Sequence, residues 1–287
     1  MFKLYKKAFL VTNDAIVLTI PLTLFWLVLT LYIDYSKSVV DTLPEIILSA
    51  ITMLFMTSAF CAGWFYMVKR CIKFSRNTYI IDAERNKESL KLLKSMSHGI
   101  GKFFMHYVTA SILFVTIAVA MAFIIKVLSY TPVKTISDTL ALYNIPIGSL
   151  DEVQMGLDKL QYDIILNLFK EIFKSGLTLI LIVFLIPAIV SFLLMLWMPE
   201  IIYTYKNPFI AIITSVKKLF TNFGKSIKLY IYISLLQMFI SILGTLSLGN
   251  MFIYMIAMLV YFYFITYVVV LIFMFYEENF IRKKRKL

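Results

Sequence analysis

Few side chains in this 287-residue chain have the type and spacing to do chemistry. His98 and His106, the only histidines, lie eight positions apart with no acidic or cysteine cluster beside them. A zinc site draws three or four such ligands together at close spacing, so no metal and no other cofactor is expected. Cys61 sits inside an apolar run and Cys71 just beyond it among lysine and arginine, which is not a disulfide framework. The phosphate-binding pattern GxxxxGK followed by Ser or Thr is absent, as are HExxH and GxSxG. With no nucleophile–base pair and no metal constellation, the chain does not read as an enzyme. Two sets of residues remain. Lys94, Lys102, Lys217, Lys218, Lys225 and Lys228 precede long apolar runs and are candidates for contact with anionic lipid headgroups. Gln237, Tyr261, Tyr263 and Tyr267 fall inside apolar runs and are candidates for polar contacts within the membrane.

The elements that position these residues are set by composition. The chain is 61% hydrophobic with a mean hydropathy of +0.87, and only 15% of it is charged. A soluble domain is about 45–50% apolar and roughly 25% charged. The excess is collected in six runs, at 15–33, 46–68, 103–125, 177–198, 229–247 and 251–276. Each is long enough to cross a hydrocarbon core of about 30 Å, and each must be helical, because lipid offers the backbone no hydrogen-bond partner. The expected fold is an all-α membrane protein, one polytopic domain over residues 1–287. Pro21 and Pro187 lie within runs and are expected to bend them. The first run follows a basic segment but is longer than a signal-peptide core and has no small-residue cleavage site, so it reads as a retained span.

Charge alternates between the runs. Residues 1–14 carry a net +2, 69–102 a net +6, 199–228 a net +4 and 277–287 a net +3. Residues 34–45 and 129–176 each carry −2, and 248–250 carry nothing. By the positive-inside rule both termini and the basic loops are cytoplasmic, and 129–176 is outside. With a net charge of +12 placed at the ends of apolar runs, the expected partner is the anionic bilayer surface rather than nucleic acid. The expected location is the bacterial inner membrane.

The basic stretches resemble one another. At an offset of 123, Lys94, Gly101, Lys102, Tyr107, Ser111 and Leu113 match Lys217, Gly224, Lys225, Tyr230, Ser234 and Leu236. The N-terminal KKAFLVTN is a weaker third copy of KKLFTN. This suggests three units, each an amphipathic helix followed by a two-helix hairpin; basic segments leading into membranes also look alike by composition alone. In 212–223, Ile212, Ile213, Val216, Leu219, Phe220 and Phe223 recur at helical spacing. Leu93, Met96, Ile100 and Phe103 do so in 89–104. Such helices either lie in the headgroup plane or pack on the bundle's cytoplasmic side. Asn207 and Pro208 read as the start of a helix. In the outer loop, Ser149 and Glu152 read as a capping box. Leu150, Val153, Leu157, Leu160, Ile164 and Leu168 form a stripe, and Gly176 reads as a terminator. That helix packs on the bundle, lies on the outer leaflet or binds a partner. Small-residue pairs such as Ala59 with Gly63 and Ser58 with Ala62 read as close helix crossings.

The segment NPFIAIITSVKKLFTNFGKSIKLY, with the six-span plan, resembles the membrane regions attached to some bacterial glycerophosphodiester phosphodiesterases and related stand-alone proteins. The catalytic domain of that group is absent, so the resemblance implies an architecture and transfers no activity or site residue. The expected function is a non-enzymatic scaffold or accessory factor for membrane or envelope processes, working with a membrane-protein partner or as a homo-oligomer. The alternative is a transporter or permease subunit for an apolar or lipid-like solute, since no acid or base sits mid-span to couple ions.

Overall fold

A computed structural model describes residues 1–75, 82–142, 162–205, 207–247 and 249–281, with side chains from 82–90 and 162–166 excepted. Among the described residues all regular structure is helical: α1 (Phe2–Asp14), α2 (Thr19–Val39), α3 (Leu43–Phe74), α4 (Asp82–Leu142), α5 (Tyr162–Leu194), α6 (Trp197–Thr204), α7 (Pro208–Thr221), α8 (Phe223–Leu246) and α9 (Met251–Tyr276), which ends in a π turn over Glu277–Ile281. Six helical segments are long and apolar enough to cross a membrane, namely Ile16–Val39, Leu43–Phe74, Lys91–Leu142, Asn167–Thr204, Phe223–Leu246 and Met251–Ile281. The chain is therefore an all-α membrane protein with six candidate spans.

Local sequence explains most of the breaks. Ala15 and the 3-10 turn Ile16–Leu18 separate α1 from α2. Pro21 consequently falls in the first turn of α2 and not mid-span, where its missing N–H forfeits no helical bond. Thr42 and Glu45 form a capping box that starts α3, Glu45 Oε2 accepting from the Thr42 N–H at 2.9 Å. Asn207 caps α7 as expected, its Oδ1 accepting from the Phe209 N–H at 3.1 Å. Asn250 does the same for α9, accepting from the Phe252 N–H at 2.9 Å. Two helices run further than expected. α4 holds 61 residues, roughly 90 Å of contour against a core of about 30 Å. The basic segment 91–102 is part of it and not a separate surface helix. Gly176 lies inside α5 and does not end it; no glycine among the described residues has the positive φ of a helix terminator.

The chain falls into two compact units, Met1–Leu113 with Phe192–Leu287, and Phe114–Ser191. In the first unit the core gathers at one end. α1 lies against α9 through Leu4, Ala8 and Val11. α3 contributes Trp64, Met67 and Ile72, α6 contributes Trp197, Ile201 and Ile202, and α9 contributes Val270, Phe273 and Tyr276. The opposite halves of α3 and α9 expose their apolar side chains, Leu43, Ile47, Met251 and Phe252 among them. α3 and α4 cross closely. A Cβ built on Gly99 would lie 2.6 Å from Tyr66 Cβ and 2.9 Å from the Ala62 carbonyl oxygen. One on Gly63 would lie 2.6 Å from Met96 Cγ. Met96 and Phe103, expected on a lipid-facing or bundle-facing stripe, thus face α3.

The second unit holds the later part of α4 and most of α5. Thr139 Oγ1 and Glu171 Oε2 approach to 3.4 Å there, and Leu168 is buried. Phe123, Phe173 and Phe184 are exposed, an apolar surface suited to lipid. The capping box at Ser149 and Glu152, and the stripe residues Leu150, Val153, Leu157 and Leu160, lie outside the described residues, as does the side chain of Ile164.

Candidate functional site

The most polar buried cluster is built on α6. Only eight residues long, α6 is closed by Tyr205 in the left-handed region at φ 56°, an unfavourable place for a bulky side chain. Glu200 lies in its first turn, where a helix N-terminus favours negative charge. The residue is fully buried, and its Oε2 accepts from Lys218 Nζ of α7 at 2.5 Å and from the Tyr276 hydroxyl of α9 at 2.6 Å. Lys218 Nζ is also 2.5 Å from the Tyr276 hydroxyl, so the three groups close a ring. Beside it, Tyr203 stacks on Tyr276 at 5.4 Å and donates to Glu277 Oε2 at 3.0 Å. Lys69 of α3 donates to the Ile202 carbonyl at 2.8 Å, answering one of the carbonyls left open at the end of α6. The Trp197 indole N–H donates to the Pro208 carbonyl at 3.0 Å and ties α6 to the start of α7. Every face of this short helix is therefore held by a polar or aromatic partner from another element.

Tyr205 sits between two lysines. Lys102 Nζ lies 4.2 Å from its ring centre and Lys69 Nζ 4.9 Å, while Phe103 stacks on it at 5.1 Å. Burial pushes the Tyr205 phenol up, but the Lys102 and Lys69 ammonium groups outweigh that and leave it below the usual tyrosine value. These contacts hold the residue in its left-handed conformation.

A second feature is a cleft of about 400 Å³ between α1, α8 and α9, lined by Tyr5, Lys6, Tyr232, Tyr263 and Tyr267 among others. Tyr5 stacks on Tyr232 at 4.1 Å, and the hydroxyls of Tyr232 and Tyr267 are 3.1 Å apart. Burial, and then the neighbouring Tyr232, raise the Tyr5 phenol above its usual value. The Tyr263 hydroxyl is closed to solvent and has no hydrogen-bond partner among the described residues. Further along α8 and α9 a second cleft of about 360 Å³ is lined by Ser241, Gly244, Tyr254 and Tyr261. Both clefts include Ile240 and Val260 in their walls.

The expected site residues therefore separate. Tyr263 and Tyr267 share the first cleft and Tyr261 lines the second. Gln237 is exposed on α8. Lys94, Lys102, Lys217, Lys225 and Lys228 are exposed, Lys225 with its Nζ 3.4 Å from Asn279 Oδ1. Lys218 differs from these lysines. Its side chain is only 20% exposed, and its ammonium is directed to Glu200, because a fully buried carboxylate needs a compensating charge. Sequence reasoning missed Glu200 and Tyr276. The signal was Glu200 itself, a single acid in a basic segment directly after an apolar run. Among the described residues no group of three His, Cys, Asp or Glu is placed to hold a metal ion. Against family models, curated proteins and solved structures the chain has no match.

Proposed function

We propose that this protein is a non-enzymatic scaffold or accessory factor of the bacterial inner membrane, with both termini and its densely packed end in the cytoplasm. The observation that carries this reading is the closed Glu200–Lys218–Tyr276 ring, which fixes α6, α7 and α9 to one another at the end where the basic segments gather. A fixed end of this kind suits a platform for a membrane-protein partner, or for a second copy of the chain, better than an alternating carrier. The exposed lysines around it suit an anionic headgroup layer. The threefold plan remains part of this reading and is supported by the element order, with α1 preceding α2 and α3, α7 preceding α8 and α9, and the middle basic segment continuous with α4.

A carrier for a lipid-like solute is the second reading, favoured by the two clefts along α8 and α9. Reconstitution separates the two. Liposomes containing the protein and a fluorescent phospholipid should show no faster exchange between leaflets than empty liposomes. Photo-crosslinkers at Lys73 and Lys94 should capture one recurrent membrane-protein partner, or the chain itself. Accelerated exchange with no recurrent adduct would replace the scaffold with the carrier.

A further inference from the structure

We propose that the seam between α8 and α9 binds one anionic phospholipid of the leaflet beside α1, with its phosphate at Lys6 and Tyr263 and an acyl chain along Ile240 and Val260. The polar evidence lies at one end of the seam. Tyr263 presents a hydroxyl that is closed to solvent and that no group among the described residues satisfies. Buried hydroxyls normally have a partner, and a phosphate or ester oxygen in the cleft would accept this one. Lys6 lines the same cleft and is exposed. Its neighbour Lys7 is directed to Glu278 at 4.0 Å, which leaves Lys6 as the cation of α1 on the cleft wall. The Tyr232–Tyr267 hydroxyl pair adds a further donor.

The apolar evidence lies at the other end. Beyond Ile240 and Val260 the lining turns to Leu243, Gly244, Ile253 and Ile256, with no charged residue. Among the described residues nothing lies within 4 Å of where a Cβ on Gly244 would stand, so the wall stays open there. From Tyr263 to Ile253 the seam follows ten residues of α9, about 15 Å of helix. One leaflet of a bilayer supplies roughly 15 Å of hydrocarbon depth, so the seam matches one acyl chain in length. A ligand that is anionic at one end and a long hydrocarbon at the other matches this order of surfaces; a soluble phosphate does not use the second cleft. The inference does not depend on the scaffold reading, since a scaffold can hold a lipid without moving it, and its test has a different readout from the leaflet-exchange assay.

The test uses the full-length protein in mild detergent, equilibrated with equal amounts of phosphatidylglycerol and phosphatidylcholine of matched chains. Retained lipid is then counted by native mass spectrometry. One phosphatidylglycerol should be retained about fivefold over phosphatidylcholine. Lys6→Glu should abolish that preference, and Tyr263→Phe should lower retention about tenfold. Lys134→Glu, an equal charge change at an exposed position of α4, should leave retention unchanged. Val260→Trp should block the seam and displace the lipid, with thermal unfolding recorded to show that the fold persists; if it does not fold, the Lys6 and Tyr263 variants decide. Free glycerol phosphate should not compete. The proposal fails if the two lipids are retained equally, if Lys6→Glu and Lys134→Glu act alike, if Tyr263→Phe has no effect, or if glycerol phosphate displaces the lipid.

Discussion

Lys218 of α7 reaches across to the buried carboxylate of Glu200 in α6, Nζ to Oε2 at 2.5 Å, and the Tyr276 hydroxyl of α9 joins them. Removing the ammonium from a buried pair typically costs about 3–5 kcal/mol, and the partial exposure of Lys218 puts the expected loss for Lys218→Met near the lower end, about 3 kcal/mol. Glu200→Gln keeps a hydrogen-bonding side chain and should cost less. The double variant Glu200→Met with Lys218→Met should recover much of the single loss. Unfolding in detergent, read as a double-mutant cycle, measures this. Additive losses without recovery would mean that the two residues are not coupled.

The crossing of α3 and α4 yields a sharper contrast. Gly99→Ala would press a methyl group against the Ala62 carbonyl, which is backbone and cannot swing away. A loss of about 1–3 kcal/mol is expected from overpacking. Gly101→Ala, two residues on, meets nothing within 4 Å. It should be neutral or stabilise the helix by up to about 1 kcal/mol. The two melting temperatures, measured side by side, check the crossing; equal effects would contradict it.

The α7 helix presents three surfaces. Ala211, Ser215 and Leu219 are buried, Phe209, Ile213 and Phe220 are exposed and apolar, and Lys217 is exposed and charged. Both sequence-based options, packing on the bundle and lying in the headgroup layer, have a face to serve them. In bilayers, spin labels at Ile213 and Phe220 should be relaxed by oxygen, and a label at Lys217 by a water-soluble relaxing agent. Equal exposure of all three to water would remove α7 from the membrane surface.

Tyr205 should lose its proton at a lower pH than an ordinary tyrosine, whose value is about 10, because Lys102 and Lys69 favour the phenolate. A folded-state value below the unfolded one means that this group adds stability as pH rises between the two values, and that the addition is lost as pH falls through the folded one. Lys102→Met should move the titration upward. Ultraviolet difference titration of the protein against its Tyr205→Phe variant isolates the signal; no shift on removing Lys102 would show that the ammonium does not act on the phenol.

The spans were legible because lipid imposes a long apolar run and a helix on every crossing segment. The Asn207 cap was legible because it is local, an amide before a proline at the first helical position. The length of α4 was hidden because 89–104 reads as an amphipathic helix of its own before the span; Gly99 answers to Tyr66 across the crossing with α3, a contact that spacing cannot display. Lys218 was read from its place on a helical wheel, where it sits beside Lys217. Only tertiary structure brings Glu200, eighteen residues earlier, and Tyr276, fifty-eight later, to the same point. Tyr263 and Tyr267 were found by composition, but their cleft depends on α1, whose register against α9 carries no signal in the sequence.

The end locked by Glu200 and Lys218 is expected to face the cytoplasm, and single cysteines report this through their access to a thiol reagent. Cys71 is unsuitable as a reporter because it is buried, so both native thiols are replaced by serine. Cysteine is then placed at exposed Lys73, Lys217 or Asp138. On cells whose outer barrier is permeabilised, a membrane-impermeant thiol reagent should label the Asp138 variant at once. It should label the Lys73 and Lys217 variants only after the inner membrane is disrupted. Immediate labelling at Lys73 and Lys217 with protection at Asp138 would invert the protein and contradict the account.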